Sequence, residues 1–182
     1  MIRIIDFFAA LLGLFLLFPI LLFVTVVGLF DTSSPIFVQE RVGRNKRPFK
    51  LIKFRTMSVE TKSVASHLAS NASITKLGAF LRKTKIDELP QLINVLLGEM
   101  SLVGPRPNLF NQEELIAERD ALGVYNVLPG ITGLAQVQNI DMSTPALLAK
   151  TDKQMIDNLT LKNYFKYILM TVSGSGNGDA VK

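Results

Sequence analysis

The sequence predicts a mostly helical α+β protein, in which an apolar N-terminal helix precedes a small domain built from a short β-hairpin and several amphipathic helices. Three observations carry that expectation. No charged residue occurs between Phe7 and Phe30. Two short stretches rich in β-branched and aromatic residues, Pro35–Gln39 and Phe49–Phe54, are separated by Gly43-Arg44-Asn45, as the arms of a hairpin flank its turn. Further along, apolar residues recur at helical spacing. A length of 182 residues suits one domain of ordinary size. The expected organisation is an anchoring segment over residues 1–30, a folded domain over 31–172 and a flexible Gly/Ser tail over 173–182.

The apolar run accounts for much of the 48% hydrophobic content. It exceeds the apolar core of a secretory signal and ends in Asp31-Thr32-Ser33-Ser34-Pro35 rather than a small-residue cleavage site, so it reads as a retained membrane segment. A straight helix of this length measures about 36 Å, enough to cross a hydrocarbon core of about 30 Å. Pro19 stands at its centre, where it removes a backbone hydrogen bond and favours a kink or break. Two arms joined at Pro19 would enter and leave through one face, with Arg3 and Asp6 on the side of the basic stretch that follows. Proline is also tolerated in ordinary spans, so both arrangements stand.

Net charge is +5, and residues 41–55 concentrate it: Arg41, Arg44, Lys46, Arg47, Lys50, Lys53 and Arg55 occur there without an acid. Such a stretch suits an anionic leaflet, a phosphorylated ligand, or both. No recognition helix, zinc-ligand set or aromatic ribonucleoprotein motif accompanies it, which argues against nucleic acid. In the second hairpin arm Phe49 and Leu51 are expected to pack while Lys50 and Lys53 project from the other side. The absence of cysteine rules out a disulfide framework.

Residues 57–76 read as a polar surface excursion with some helix, in which His67 has no assigned role. Leu77–Lys85 reads as a helix with Arg82 and Lys83 near its end. In the next, Leu89, Leu92, Ile93 and Leu96 recur at helical spacing and Gly98 stops the run. Asp87 falls at its N-cap and Pro90 in its first turn, both ordinary start signals. The same place keeps a carboxylate ionised and available as a nucleophile or metal ligand. Residues 110–127 and 143–172 add further amphipathic helices. The adjacent carboxylates Asp87 and Glu88, with the rigid segments Gly104-Pro105-Arg106-Pro107 and Pro129–Gln136, suggest chemistry on an anionic substrate.

Several motifs, in this order and spacing, resemble the bacterial sugar transferases, specifically the small monotopic polyprenol-phosphate phosphoglycosyltransferases: Arg3-Ile4-Ile5-Asp6, Gln39-Glu40-Arg41-Val42-Gly43, Lys53-Phe54-Arg55-Thr56-Met57, Leu81-Arg82, Asp87-Glu88-Leu89-Pro90-Gln91, Gly98–Pro107 and Pro129–Gln136. The resemblance implies a re-entrant helix–break–helix anchor at Pro19, a membrane-associated catalytic domain on the cytoplasmic face of the bacterial inner membrane, and transfer of a phosphosugar from a UDP-sugar to polyprenol (undecaprenyl) phosphate with release of UMP. It further implies that Asp87 forms a covalent phosphosugar intermediate and that Glu88 holds Mg2+ or handles a proton, with Asp87 and Glu88 together as metal ligands. Lys53, Arg82 and Arg106 are the cations expected around the phosphates. Gly130, Gly133 and Gln136 are expected to complete substrate binding. Leu128, Gln138-Asn139-Ile140-Asp141 and Phe18 depart from the residues common in relatives, and the first two bear on nucleotide or sugar specificity. The competing readings are a non-catalytic module that binds anionic lipid and a Mg2+-dependent lipid diphosphate phosphatase. Oligomeric state, homo-oligomers included, is open, as are the sugar, the polyprenol length and the pathway.

Overall fold

A computed structural model describes residues 1–60 and 73–174. His67, most of the expected polar excursion and most of the 173–182 tail lie outside the described residues. Helix α1 (Ile2–Thr32) is built from Leu, Phe, Ile, Val and Ala, and Ser33 in the left-handed conformation ends it, with φ 60°. It is long and apolar enough to cross a membrane. Pro19 lies inside it, and the chain stays helical through the proline where an interruption was expected. A proline removes one hydrogen bond, and packing on both sides of Pro19 favours retaining the remaining turns.

That packing runs almost the full length of one helix face. Ile2 and Ile5 meet Val103, Tyr164 and Tyr167; Ala10, Leu14 and Leu17 meet Leu92 and Val95; Leu21 and Val24 meet Phe54 and Leu81. Polar contacts close both ends. Arg3 donates to the Val95 and Leu96 carbonyls at 2.5 and 3.0 Å, while Asp31 accepts from the Thr75 hydroxyl at 2.7 Å. The opposite face exposes Phe8, Phe15, Leu16, Phe18, Phe23 and Phe30.

Strands β1 (Ile36–Val42) and β2 (Pro48–Phe54) form the expected antiparallel hairpin. The register pairs Phe37 with Lys53, Gln39 with Leu51 and Arg41 with Phe49. Side chains opposite one another share a face and alternate along each strand. Lys53 therefore sits on the packed Phe49–Leu51 face and is buried, not beside exposed Lys50 as expected. Positions 49, 51 and 53 have one parity, and two-residue periodicity prevails over the preference of lysine for solvent.

Helix α2 (Lys76–Thr84) starts at a Thr75 cap, whose hydroxyl accepts from the Gly78 N–H at 2.9 Å. It ends at Lys85, which is left-handed with φ 58° and leads into a 3-10 turn over Ile86–Glu88. Helix α3 (Gln91–Leu97) follows, and Gly98 stops it as expected with φ 85°. Buried Asn94 on α3 donates to the Lys50 carbonyl at 2.7 Å and accepts from the Ile52 N–H at 3.1 Å. One side chain thus continues the hydrogen-bond ladder of β2 and fixes α3 against the hairpin.

Strands β3 (Ser101–Val103) and β4 (Gly130–Thr132) pair in parallel, a pairing not anticipated from the sequence. They bring the two Pro/Gly segments together so closely that a Cβ on Gly130 would lie 2.0 Å from the Gly104 nitrogen. Helix α4 (Glu113–Ala121) is shorter than the 110–127 expectation, and α5 (Leu134–Val137) follows β4. The expected 143–172 helical region resolves into α6 (Pro145–Asp157) and α7 (Leu161–Val172). Buried Tyr164 of α7 donates to Asp6 at 2.6 Å, joining the last helix to the first.

Candidate active site

The two carboxylates lie on the turn between α2 and α3. Asp87 is only 2% exposed and Glu88 is also buried. Asp87 is not the expected cap: α3 begins at Gln91, with Pro90 at its N-cap position and no side-chain capping bond. Lys85 turns the chain earlier than the hydrophobic periodicity indicates, and the N–H groups of Glu88 and Leu89 bond back to the Lys85 and Ile86 carbonyls. Burial lowers the Lys85 pKa, Glu88 works against that shift, and Arg106 adds to it.

Glu88 Oε1 lies 2.7 Å from Arg106 Nη2. The loop carrying Arg106 begins immediately after β3, and prolines on both sides restrict its backbone. A small open cleft lies here, lined by Arg41, Lys53, Gln91, Arg106, Gly130 and Ile131 among others. Arg41 and Lys53 reach it from the packed hairpin face, and Gln91 from the first residue of α3. Lys53 also stands 5.7 Å from the centre of the Phe37 ring. Three cations at a solvent-open cleft beside a carboxylate pair suit an anionic ligand with phosphate geometry.

The remaining residues expected at the site occupy distinct places around it. Arg82 Nε donates to the Thr56 hydroxyl at 2.9 Å, and its helix packs on the 3-10 turn. Gly130 lines the cleft, while its N–H donates to the Pro105 carbonyl at 2.9 Å. A Cβ on Gly133 would stand 2.5 Å from the Gly104 carbonyl oxygen, so close backbone approach accounts for this glycine. Gln136 Nε2 donates to the Ile131 carbonyl at 2.8 Å and braces β4. Arg41 and Gln91 were missed as cleft residues. Pairing Arg41 opposite Phe49 on the packed hairpin face would have identified the first, and the helical face of Gln91 beside Asp87 the second.

The architecture defines a class: a compact α+β body, one long apolar helix held along its side, and a cleft whose charges suit a phosphorylated ligand. The chain matches the bacterial sugar transferase family over residues 1–176. It is 39% identical to EpsL of Bacillus subtilis, named as an uncharacterized sugar transferase, over 93% of this chain and 84% of that protein. It is 38% identical to a putative undecaprenyl-phosphate N-acetylgalactosaminyl 1-phosphate transferase of Bacillus subtilis, over 71% of this chain and 70% of that protein. With the UDP-glucose:undecaprenyl-phosphate glucose-1-phosphate transferase of Klebsiella pneumoniae, identity is 36% over 93% of this chain but only 39% of that protein. The chain likewise spans 41% of a longer Haemophilus influenzae protein named as an uncharacterized sugar transferase. This chain belongs to the bacterial sugar transferase family.

Proposed function

We propose that this sugar transferase moves a sugar 1-phosphate from a UDP-sugar to polyprenol phosphate, releasing UMP. In this phosphoglycosyltransferase reaction an Asp87 oxygen attacks the phosphorus bearing the sugar, and the pyrophosphate P–O bond breaks toward UMP. A phosphate oxygen of the polyprenol phosphate then attacks the same phosphorus, and the acyl phosphate P–O bond breaks to restore the Asp87 carboxylate. The observation that carries this reading is the buried Asp87–Glu88 turn, joined through Arg106 to the Arg41–Lys53 cleft.

A carboxylate approaching a diphosphate meets like charge, which cations on the nonbridging oxygens offset. Arg106 supplies a planar two-pronged donor and Lys53 a compact ammonium held by the hairpin. Arg82, Gly130, Gly133 and Gln136 support the turn and β4 around the bound donor. Asp87 and Glu88 are adjacent carboxylates, the hard oxygen donors that Mg2+ takes one or two at a time alongside water and substrate phosphates. Asp87 and Glu88 would hold that ion, which would neutralise charge on the diphosphate when bound.

The fold supports a one-sided membrane attachment. Arg3 and Asp31, near opposite ends of α1, both bond to the same folded body, and the helix face between them packs along it. A bilayer cannot separate two ends held in this way. We therefore assign α1 a monotopic, re-entrant placement within one leaflet, with its exposed Phe and Leu face toward lipid and the cleft at the cytoplasmic surface of the inner membrane. The product would begin a bacterial surface glycan or glycoprotein on its lipid carrier.

The test incubates purified enzyme with a panel of UDP-sugars and Mg2+, with and without polyprenol phosphate, and follows UMP. Acceptor-dependent UMP release supports transfer. Release at the same turnover rate without acceptor would indicate hydrolysis, and silence with every donor would favour a lipid-binding module.

A further inference from the structure

The strongest arrangement outside the cleft lies directly behind Arg106. Pro105 and Pro107 lack N–H groups, so this loop cannot build an ordinary strand ladder, yet each of its three consecutive carbonyls has a donor. Pro105 accepts from the Gly130 N–H at 2.9 Å, Arg106 from Arg119 Nη1 at 2.8 Å, and Pro107 from Arg41 Nη1 at 3.3 Å. The middle bond is notable because Arg119 is only 1% exposed and lies on α4, outside the cleft lining.

Four bonds fix the guanidinium of Arg119. Its Nε and Nη2 donate to Asp152 Oδ2 at 3.0 and 2.7 Å, and its Nη1 donates both to the Arg106 carbonyl and to Asn108 Oδ1, the latter at 2.9 Å. Tyr125 donates to the same Asn108 oxygen at 3.0 Å. A buried charge of this kind is costly unless paired and fully bonded. Asp152 supplies the countercharge, and the planar fork then spans from α6 to the backbone of the residue whose side chain meets Glu88. A lysine at this position could not reproduce that fork.

We propose that Arg119, held by Asp152, is a positioning residue that sets the direction of the Arg106 guanidinium into the anion cleft. The inference rests on the phosphate-binding reading of that cleft. It predicts that Arg119, beyond its part in the buried ion pair, contributes to ligand binding through Arg106.

The test is a double-mutant cycle with Arg119→Lys and Arg106→Ala, read first as affinity for UDP in the presence of Mg2+ and then as kcat/KM with an active donor. Arg119→Lys is expected to weaken UDP binding about ten- to a hundred-fold in the otherwise native enzyme, the scale of a misdirected binding group. In the Arg106→Ala background the same change should move affinity by less than about two-fold, because coupled groups are non-additive. If Arg119→Lys does not fold, the neutral pair Arg119→Gln/Asp152→Asn runs the same cycle with the buried shape kept. Equal losses in both backgrounds, or no loss in the first, would overturn the proposal. UDP binding that follows the cycle in an enzyme showing no sugar-phosphate transfer would uphold the positioning role and remove the transfer reaction instead.

Discussion

Replacing Asp6 with alanine offers a sharp test of how α1 is joined to the folded body. Asp6 is 1% exposed, and its Oδ1 accepts from the Leu102 N–H at 2.9 Å, the Ser101 hydroxyl at 3.1 Å and the Tyr164 hydroxyl at 2.6 Å. Burial is the main reason the Tyr164 hydroxyl holds its proton well above the usual tyrosine range, and its bond to Asp6 adds to the shift. A hydrogen bond to a charged group contributes about 1.5–3 kcal/mol, and a buried donor stripped of its acceptor costs a comparable amount. Three donors converge on one oxygen and do not add independently, so Asp6→Ala should cost about 3–5 kcal/mol. For a chain of this size that corresponds to a fall in Tm of about 6–20 °C. Asp6→Asn keeps an acceptor oxygen and should lose about 1–2 kcal/mol. Thermal unfolding of detergent-purified protein, followed by circular dichroism, provides the measurement. An Asp6→Ala variant melting within about 2 °C of the native protein would refute the view that this cluster locks α1 to β3 and α7.

Other consequences can be measured separately. Asp87→Asn should abolish UMP release while leaving recovery in the membrane fraction unchanged; near-native turnover would remove Asp87 as the nucleophile. Gly130→Ala should prevent native packing of β3 against β4, since the new Cβ would meet the Gly104 nitrogen at 2.0 Å, and a variant with native Tm would contradict that packing. Burial raises the Asp152 pKa while Arg119 opposes the rise. In Arg119→Gln the opposition disappears, so the folded state holds the Asp152 proton more tightly than the unfolded chain; stability then falls as pH rises above about 4. Asp152→Asn in the same background should flatten that slope, and a slope that persists would assign it to another group. A cysteine introduced at Ile2 should resist an impermeant reagent in intact cells, and efficient labelling would contradict the one-sided placement of α1.

The sequence revealed elements whose patterns were long or closed by strong punctuation. The apolar α1, apart from the break expected at Pro19, the hairpin around Gly43, and the stop of α3 at Gly98 emerged in place, because each depends on local periodicity and backbone preference. Three-residue β3 and β4 are too short for a two-residue period to register, so their pairing was invisible even though both Pro/Gly segments stood out. Asp87 and Pro90 carried ordinary start signals, but left-handed Lys85 redirected the chain before they could act as a cap and first turn. Lys53 was expected among the phosphate cations but on the side opposite Phe49 and Leu51, whereas strand parity puts it on their face, in the cleft wall. Arg119 gave no sign at all. An arginine in an acidic helix reads as exposed, and its burial depends on Asp152, which lies on a different helix.

The account stands most directly on a covalent bond to one side chain. Enzyme incubated with a turnover-competent UDP-sugar and Mg2+, without lipid acceptor, and quenched rapidly should gain the mass of one sugar phosphate; peptide mapping should place it on Asp87, and later addition of polyprenol phosphate should remove it. Acceptor-dependent product formation by an enzyme that never carries this adduct, or carries it on another residue, would contradict the mechanism.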